Sequence, residues 1–168
     1  MALISPALLG RQTALFLRLC TLPLIGEMIL KPNDKTFARY IRACKNPDAT
    51  FPEDWLEARR EMVHVPGARS GMLAQLRAGM TFMGVRRRVL EETVRNLQEI
   101  TLRTLLVYGE EDAFVPSRYV VEAGRKLPNA RLLQIPKAGH CLTLERGAEI
   151  SSILRSFFND VEEPKGGH

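Results

Sequence analysis

The sequence contains few cysteines and histidines, and this scarcity argues against several kinds of site. Its three cysteines (Cys20, Cys44, Cys141) are irregularly spaced, and it has three histidines. A disulfide framework needs an even set of cysteines, and a structural zinc site needs closely spaced Cys or His ligands, so we predict neither. We expect reduced thiols and no metal.

The sequence also lacks a long uncharged apolar run and a clear targeting signal. Met1 to Leu9 is apolar, but it has no basic residues before its apolar run and no clear cleavage site after it. The next apolar stretch, from Ala14 to Leu30, is interrupted by charged residues and a proline, whereas a membrane-spanning helix needs about 20 nearly uncharged residues. We therefore expect a cytoplasmic protein. Binding to a membrane surface through Arg11–Leu30 is a minor alternative that liposome flotation would test.

Acidic residues are scarce in one part of the chain. Between Arg11 and Arg103 there are 16 Lys and Arg against 10 Asp and Glu, while the whole chain carries a net charge of +5. Such an excess is typical of a solvated helical face, and it also favours an anionic substrate. The densest basic run, Arg86-Arg87-Arg88, is short and has no aromatic neighbours, so no nucleic-acid partner is predicted.

With 168 residues, the chain is long enough for one domain with a real core. Composition and periodicity divide it into four segments. We predict a core strand and a lead into the next segment at residues 1–10, a helical region at 11–100, an α/β unit at 101–160 and a disordered tail at 161–168.

The helical region shows apolar residues at the 3.6-residue spacing of amphipathic helices. We predict helices at Arg11–Cys20, Lys35–Lys45, Glu53–Val63, Gly71–Met83 and Val85–Leu97. Asp34 is a candidate N-cap for the second of these, and Thr50 with Glu53 has the spacing of a capping box for the third. The Met and aromatic residues of these helices are expected to form core.

Two strand-like runs in the α/β unit are each followed by a loop that carries a chemically useful residue. The runs are Thr104–Tyr108 and Arg131–Ile135, with a predicted helix, Ser117–Lys126, between them. This order predicts parallel strands that end at one edge of a sheet, where open α/β folds build their sites. A last amphipathic helix, Glu145–Phe158, is predicted to bury Ile150, Ile153, Leu154, Phe157 and Phe158.

The two loops supply a carboxylate and an imidazole. Tyr108-Gly109-Glu110-Glu111-Asp112 follows the first strand and Ala138-Gly139-His140 follows the second. Asp112 can fix the tautomer of His140, which can then act as a general base. The structural alternatives are that Asp112 stabilises its own turn and that His140 is a hydrogen-bonded loop residue.

These segments resemble parts of the α/β-hydrolase superfamily. The stretch from Leu105 to Asp112, followed by Val115-Pro116, is similar to its acid-bearing loop, and Ala138-Gly139-His140 with Leu144-Glu145 is similar to its histidine loop. Ser5-Pro6-Ala7-Leu8-Leu9-Gly10-Arg11 resembles the strand that leads into the helical cap of some members. The order of acid and histidine also agrees with the order in that superfamily, Ser…Asp/Glu…His.

The resemblance implies an α/β fold, namely a partial α/β-hydrolase sheet of about three parallel strands with a helical cap insertion. It implies catalytic roles for Asp112 and His140 and no cofactor. The nucleophile of the superfamily stands in a Gly-x-Ser-x-Gly turn, and no serine here has that context; Ser70, in Gly67-Ala68-Arg69-Ser70-Gly71, comes nearest. We therefore expect this sequence to correspond to the C-terminal part of a cap-bearing hydrolase, without the nucleophile.

Two functions remain open at this point. One is hydrolysis of an ester or a carbon–carbon bond in a small hydrophobic, possibly anionic substrate, with activity of the chain alone expected to be feeble without a nucleophile and an oxyanion hole. The other is a non-catalytic, truncated remnant that binds a hydrophobic ligand or a protein. In either case the sheet would expose an unpaired edge, which could accept a pairing partner.

Overall fold

The computed structural model describes residues 1–160 and divides them between two β-sheets and a series of mostly short helices. The strands are β1 (Ala2–Ile4), β2 (Met80–Thr81), β3 (Gly84–Val85), β4 (Thr104–Gly109) and β5 (Ala130–Ile135). The helices are α1 (Leu15–Cys20), α2 (Ile25–Ile29), α3 (Asp34–Cys44), α4 (Glu53–Met62), α5 (Ala68–Gly79), α6 (Arg87–Glu99), α7 (Ser117–Gly124), α8 (Leu142–Glu145) and α9 (Gly147–Asn159). The tail predicted to be disordered, residues 161–168, lies outside the described residues.

Three parallel strands form the main sheet, in the order β1-β4-β5. Ala2 of β1 lies opposite Leu105, and Thr104 of β4 lies opposite Ala130 of β5. All residues of the central strand β4 are buried, as expected for a parallel strand that is covered on both faces. Helix α7 connects β4 to β5, so both strands end at the same edge. The predicted α/β fold with about three parallel strands is confirmed.

Side chains alternate across β4 and build a core on each face of the sheet. On one face, Leu106 packs in a cluster that includes Val120 of α7 and residues of α1, α3 and α6. On the other face, Leu105 packs in a cluster with Ile150 of α9. The helical region therefore covers one face of the sheet together with α7, and the C-terminal helix covers the other.

The C-terminal helix differs from the prediction at both ends. The chain forms α8 first, and α9 then begins at Gly147 rather than at Glu145. Phe157 is buried, but Phe158 is 49% exposed, so its predicted place on the buried face is wrong. Successive helical residues point about 100° apart, and the apolar stripe of α9 is too narrow to include both Phe157 and Phe158.

Two predicted helix caps are also wrong. Asn33, and not Asp34, caps α3: it has extended backbone angles, and its side chain accepts a hydrogen bond of 2.9 Å from the backbone N–H three residues later. Asp34 is already the first helical residue. Helix α4 starts at Glu53 directly after Pro52, with no side-chain cap, so Thr50 stands too early to take part in a capping box.

A short hairpin interrupts the helical region at the point where one predicted helix was expected to end and the next to begin. Helix α5 ends before Met83 and α6 starts after Val85, so both predicted ends are wrong; β2 and β3 pair antiparallel between them. Gly84 has a φ of +107°, and a Cβ there would lie 2.0 Å from the carbonyl oxygen of Arg11. The hairpin therefore depends on a glycine that both turns the chain and allows this close approach.

The first helix is shorter than predicted, because the segment before it is held in extended form by distant partners. Arg11 O accepts a hydrogen bond from Val85 N (2.9 Å), and Thr13 Oγ1 donates to Phe114 O (2.9 Å). Helix α1 begins only at Leu15, and α2, which follows Pro23, was not predicted at all. Among residues 1–160, no helix is long and apolar enough to cross a membrane.

Candidate active site

The loops after β4 and β5 lie against each other, backbone to backbone. A Cβ on Gly109 would stand 2.2 Å from Gly139 O and 2.4 Å from Ala138 O. A Cβ on Gly139 would stand 2.7 Å from the backbone nitrogen of Asn46, just after α3. Neither glycine can take a side chain without a shift of the main chain, so these contacts fix the distance between the loops.

Asp112 and His140 meet at this edge. Asp112 Oδ2 lies 2.8 Å from His140 Nδ1, and the Asp112 side chain is only 3% exposed. Its other oxygen, Oδ1, accepts hydrogen bonds from Phe114 N (2.8 Å) and Val115 N (2.9 Å). The carboxylate therefore stabilises its own turn, as the structural alternative supposed, and also orients the imidazole.

The surroundings of His140 act on its pKa in opposite directions. Burial lowers the pKa because it disfavours the charged imidazolium. The hydrogen bond to Asp112 and the negative charge of that carboxylate outweigh the burial, so the pKa is raised above the ordinary value. The ring also packs on Phe114, with the ring centroids 5.1 Å apart.

Glu145 braces the histidine loop, a role that the sequence did not reveal. Its Oε2 accepts hydrogen bonds from Gly139 N (2.8 Å) and Asn46 N (2.9 Å), and its Oε1 accepts one from Cys141 N (3.1 Å). One carboxylate thus satisfies backbone donors on both sides of His140 and at the end of α3. The His140 N–H itself donates to Cys44 O (2.9 Å).

No local pattern in the sequence points to this brace. The pattern predicts Glu145 as the start of a helix, and the resemblance to the histidine loop assigns it no partner; Asn46 lies 99 residues away in the chain. Asn46 also hydrogen-bonds through its side chain to Glu111, in the acid loop. Asn46 therefore connects the loops of Asp112 and His140 to the helical region. Local sequence patterns do not reveal contacts between residues so far apart in the chain.

His140 lines a cavity of about 380 Å³ between the sheet edge and the helices, which we call the histidine cavity. Most of its wall is apolar, with Leu8 and Leu9 from the lead segment and Phe114 and Val115 from the acid loop. Since Nδ1 is bound to Asp112, Nε2 is the ring nitrogen that remains for chemistry at this cavity. Within residues 1–160 the His140 ring makes no other hydrogen bond.

A second cavity, of about 520 Å³, lies between α3, α4 and α5, and we call it the cap cavity. Tyr40, Met72 and Gln75 line both cavities, so the two are neighbours. The cap cavity is lined by the cations Lys31, Arg59 and Arg69 and by no acidic side chain. Arg59 also lies over the Tyr40 ring, 5.8 Å from its centroid.

The serines of the chain do not complete the site. Ser5 follows β1 with a φ of 44°, and its Oγ is buried without a hydrogen-bond partner among the described residues. Ser70 donates to Gly67 O (2.9 Å) on the exposed start of α5. Neither of them hydrogen-bonds to His140, whose side chain pairs with Asp112 alone in the part of the chain that the structure describes. That part also holds no group of three or more Cys, His, Asp or Glu suited to a metal ion.

Sequence comparison connects the chain with known hydrolases. The profile of a family described as TAP-like protein (Abhydrolase_4) matches residues 83–168. The pimeloyl-[acyl-carrier protein] methyl ester esterase of Neisseria meningitidis serogroup A is 34% identical over 71 residues, which make up 42% of this chain and 23% of that protein.

Structural comparison shows the same fold at low identity. The 2-hydroxy-6-oxo-6-phenylhexa-2,4-dienoate hydrolase of Rhodococcus sp. strain RHA1 superposes with a TM-score of 0.71 at 18% identity, over 94% of this chain and 54% of that one. The meta-cleavage product hydrolase of Pseudomonas fluorescens IP01 superposes with a TM-score of 0.73 at 15% identity, over 96% and 56%.

This chain thus spans about half the length of the solved hydrolases that it matches and about a quarter of the curated esterase. The part that it covers includes the Asp112 and His140 loops. Since the family profile covers half of the chain and the described fold matches that of the hydrolases, the chain belongs to the TAP-like protein family of the α/β-hydrolase superfamily.

Proposed function

We propose that Asp112 and His140 are the acid and the base of a serine-type hydrolase site. The observation that carries this proposal is the 2.8 Å contact between Asp112 Oδ2 and His140 Nδ1 beside an apolar cavity. The carboxylate keeps the proton on Nδ1, which leaves the Nε2 lone pair as a base. The reaction would be hydrolysis of an ester or of a carbon–carbon bond next to a carbonyl group.

The reaction needs a nucleophile beside His140, and no serine hydrogen-bonds to His140 among residues 1–160. His140 Nε2 would take the proton of a serine hydroxyl as its oxygen attacks the substrate carbonyl, and would then give that proton to the leaving group. Water, activated by the same nitrogen, would release the acyl group. Backbone N–H groups near that serine would stabilise the oxyanion.

We infer that the serine comes from a polypeptide segment that pairs with the outer edge of β1. In residues 1–160, β1 pairs on one side only, with β4. An unpaired strand edge presents free N–H and C=O groups that can accept another strand. A segment seated there would continue the parallel sheet and bring its own strand end to the edge that holds Asp112 and His140.

The two cavities support a substrate with an apolar body and an anionic group. The apolar walls of the histidine cavity fit the apolar body of the substrate. The positive charges of Lys31, Arg59 and Arg69 around the cap cavity fit its anionic group. The similar proteins named above act, by their names, on a methyl ester and on dienoates. A small carboxylate with a hydrolysable ester or ketone is therefore the proposed substrate class.

The test is ester hydrolysis with and without a complementing segment. We would assay p-nitrophenyl butyrate with the 168-residue chain alone, and with the same chain co-expressed with the N-terminal part of the Neisseria esterase, chosen to contain its strands and nucleophile turn. The chain alone should not exceed the buffer rate. The complemented protein should be active, and His140→Ala should lower its rate by about 10³-fold or more.

His64→Ala is the matched control, because His64 is an exposed histidine of the helical region. It should leave the complemented rate unchanged. Complemented activity that survives His140→Ala would refute the role of His140. If a stably co-purified complex shows no hydrolysis, the alternative stands: a non-catalytic protein that uses the same edge and cavities for binding.

A further inference from the structure

Two of the three cysteines lie together where the helical region meets the histidine loop. Cys44 is the last residue of α3 and is 1% exposed, and Cys141 directly follows His140. Cys141 N donates a hydrogen bond of 3.2 Å to Cys44 O. The two side chains pack in one core cluster. Cys141 therefore packs beside Cys44, and it is not among the residues that line the histidine cavity.

This contact brings the two backbones close together. A distance of 3.2 Å between Cys141 N and Cys44 O limits the Cα–Cα separation to about 7 Å, and disulfides use Cα separations of about 4.4 to 6.8 Å. The backbone at Cys44 is also held by the N–H of His140 (2.9 Å). A bond between the two sulfur atoms is therefore compatible with this backbone contact.

The two thiols differ in reactivity. The neighbouring Cys44 side chain lowers the pKa of Cys141; burial opposes this, and the positive charge of protonated His140 assists it. The neighbouring Cys141 side chain and burial both raise the pKa of Cys44. Cys141 is half-buried rather than fully buried. Cys141 is thus the thiol that reacts first, and Cys44 is the thiol that follows.

We propose that Cys44 and Cys141 form a reversible oxidation site for hydrogen peroxide. The Cys141 thiolate attacks one peroxide oxygen, the O–O bond breaks, and one water leaves after the second oxygen takes up a proton, which gives a sulfenic acid. The Cys44 sulfur then attacks the Cys141 sulfur, and the hydroxyl leaves with the Cys44 proton as a second water. The thiol pair loses two electrons, and peroxide is reduced to two waters.

The disulfide would join two walls of the substrate space. Helix α3, which ends at Cys44, carries Tyr40 into both cavities, and Cys141 is bonded to His140 in the chain. Oxidation would therefore tie the helical wall to the base of the histidine cavity with a covalent bond. A disulfide of this kind in a reducing compartment would be transient, as redox-sensing disulfides are.

Cys20 provides an internal control. It is fully buried in a separate cluster, with Leu30 and Leu73. Burial raises the pKa of its thiol to about 11. Its cluster contains no second cysteine, so Cys20 should stay reduced under conditions that oxidise the other two cysteines.

The experiment treats the reduced 168-residue chain with hydrogen peroxide, alkylates the remaining thiols and maps the peptides without reduction. Before alkylation, we expect the oxidised monomer to be lighter by two hydrogens. The peptide map should show one peptide pair joined through Cys44 and Cys141 and an alkylated Cys20. Dithiothreitol should reverse the bond fully. Cys20→Ser should form the same bond, and Cys44→Ser should instead gain oxygen atoms at Cys141. Free Cys44 and Cys141 after peroxide, overoxidised Cys141 in the unsubstituted chain, or a bond to Cys20 would each overturn the proposal.

Discussion

The α/β unit and the helical region are built with very different degrees of burial. Every residue of β4 is buried, whereas α4 buries none of its residues and α5 buries only Leu73. In the α/β unit, backbone contacts and buried carboxylates hold the candidate catalytic side chains. In the helical region, long side chains such as those of Met72 and Gln75 line the cavities.

This difference shows which side chains must be held in an exact position. A general base must hold its partner within a few tenths of an ångström, and rigid strand ends with backbone hydrogen bonds supply that. A substrate pocket has only to match size and charge, so its walls can be side chains on loosely packed helices. Substitutions in the α/β unit should therefore affect stability and the site together, and substitutions in the helical region should mainly affect the pocket.

The largest expected effect comes from a side chain between the two loops. Gly109→Ala places a Cβ 2.2 Å from Gly139 O, so the main chain must move. We expect a loss of about 3 kcal/mol or more in the free energy of unfolding, measured by urea titration.

Gly71→Ala is the matched control in the helical region, because a Cβ there meets nothing within 4 Å. It should raise the free energy of unfolding by about 0.5–1 kcal/mol through helix propensity. Equal effects of the two substitutions would remove the contrast between the regions.

The second effect separates the two tasks of the Asp112 carboxylate. Asp112→Ala leaves the N–H groups of Phe114 and Val115 without their acceptor, and we expect it to cost about 2 kcal/mol of stability. Asp112→Asn keeps an oxygen for these donors and should cost about 1 kcal/mol. Urea titration of both variants checks this, and equal losses would show that the turn does not depend on that oxygen.

The third effect concerns the brace under His140. Glu145→Gln retains one oxygen but turns its amide NH₂ either toward Cys141 N or toward Gly139 N and Asn46 N, so we expect a loss of about 1 kcal/mol. Glu122→Gln, on the exposed side of α7, should change the free energy of unfolding by less than about 0.5 kcal/mol. Thermal and urea unfolding of the two variants would show whether Glu145 differs from a surface carboxylate.

The sequence was sufficient for the strands and the connecting helix of the α/β unit because their signals are local. Apolar runs at β4 and β5 and the helix between them predicted parallel strands, and parallel strands place Asp112 and His140 at one edge whatever the rest of the chain does. The predicted sheet of about three strands is confirmed, and the two side chains do meet. Their catalytic role remains a proposal.

What the sequence did not reveal depends on distant partners. Arg11 accepts a hydrogen bond from the hairpin that separates α5 from α6, and Asn46 connects the end of α3 to Glu145. Helical periodicity says nothing about such contacts. The predicted ends at Met83 and Val85 were wrong for this reason, since tertiary contacts override local propensity there.

The smallest expected effect is the pH dependence of the Asp112–His140 pair. The folded-state pKa of His140 is raised above its unfolded value of about 6.5. The pair therefore contributes its full stabilisation below about pH 6.5 and loses it as the pH rises through the folded-state pKa.

NMR titration of the imidazole Hε1 resonance would measure the shift, with His64 as a reference from the helical region in the same spectrum. Asp112→Asn should lower the pKa of His140 and flatten the fall in thermal stability over this range, because the charge that favours the imidazolium is gone. An unchanged His140 titration in that variant would mean that the carboxylate orients the ring without acting on its proton.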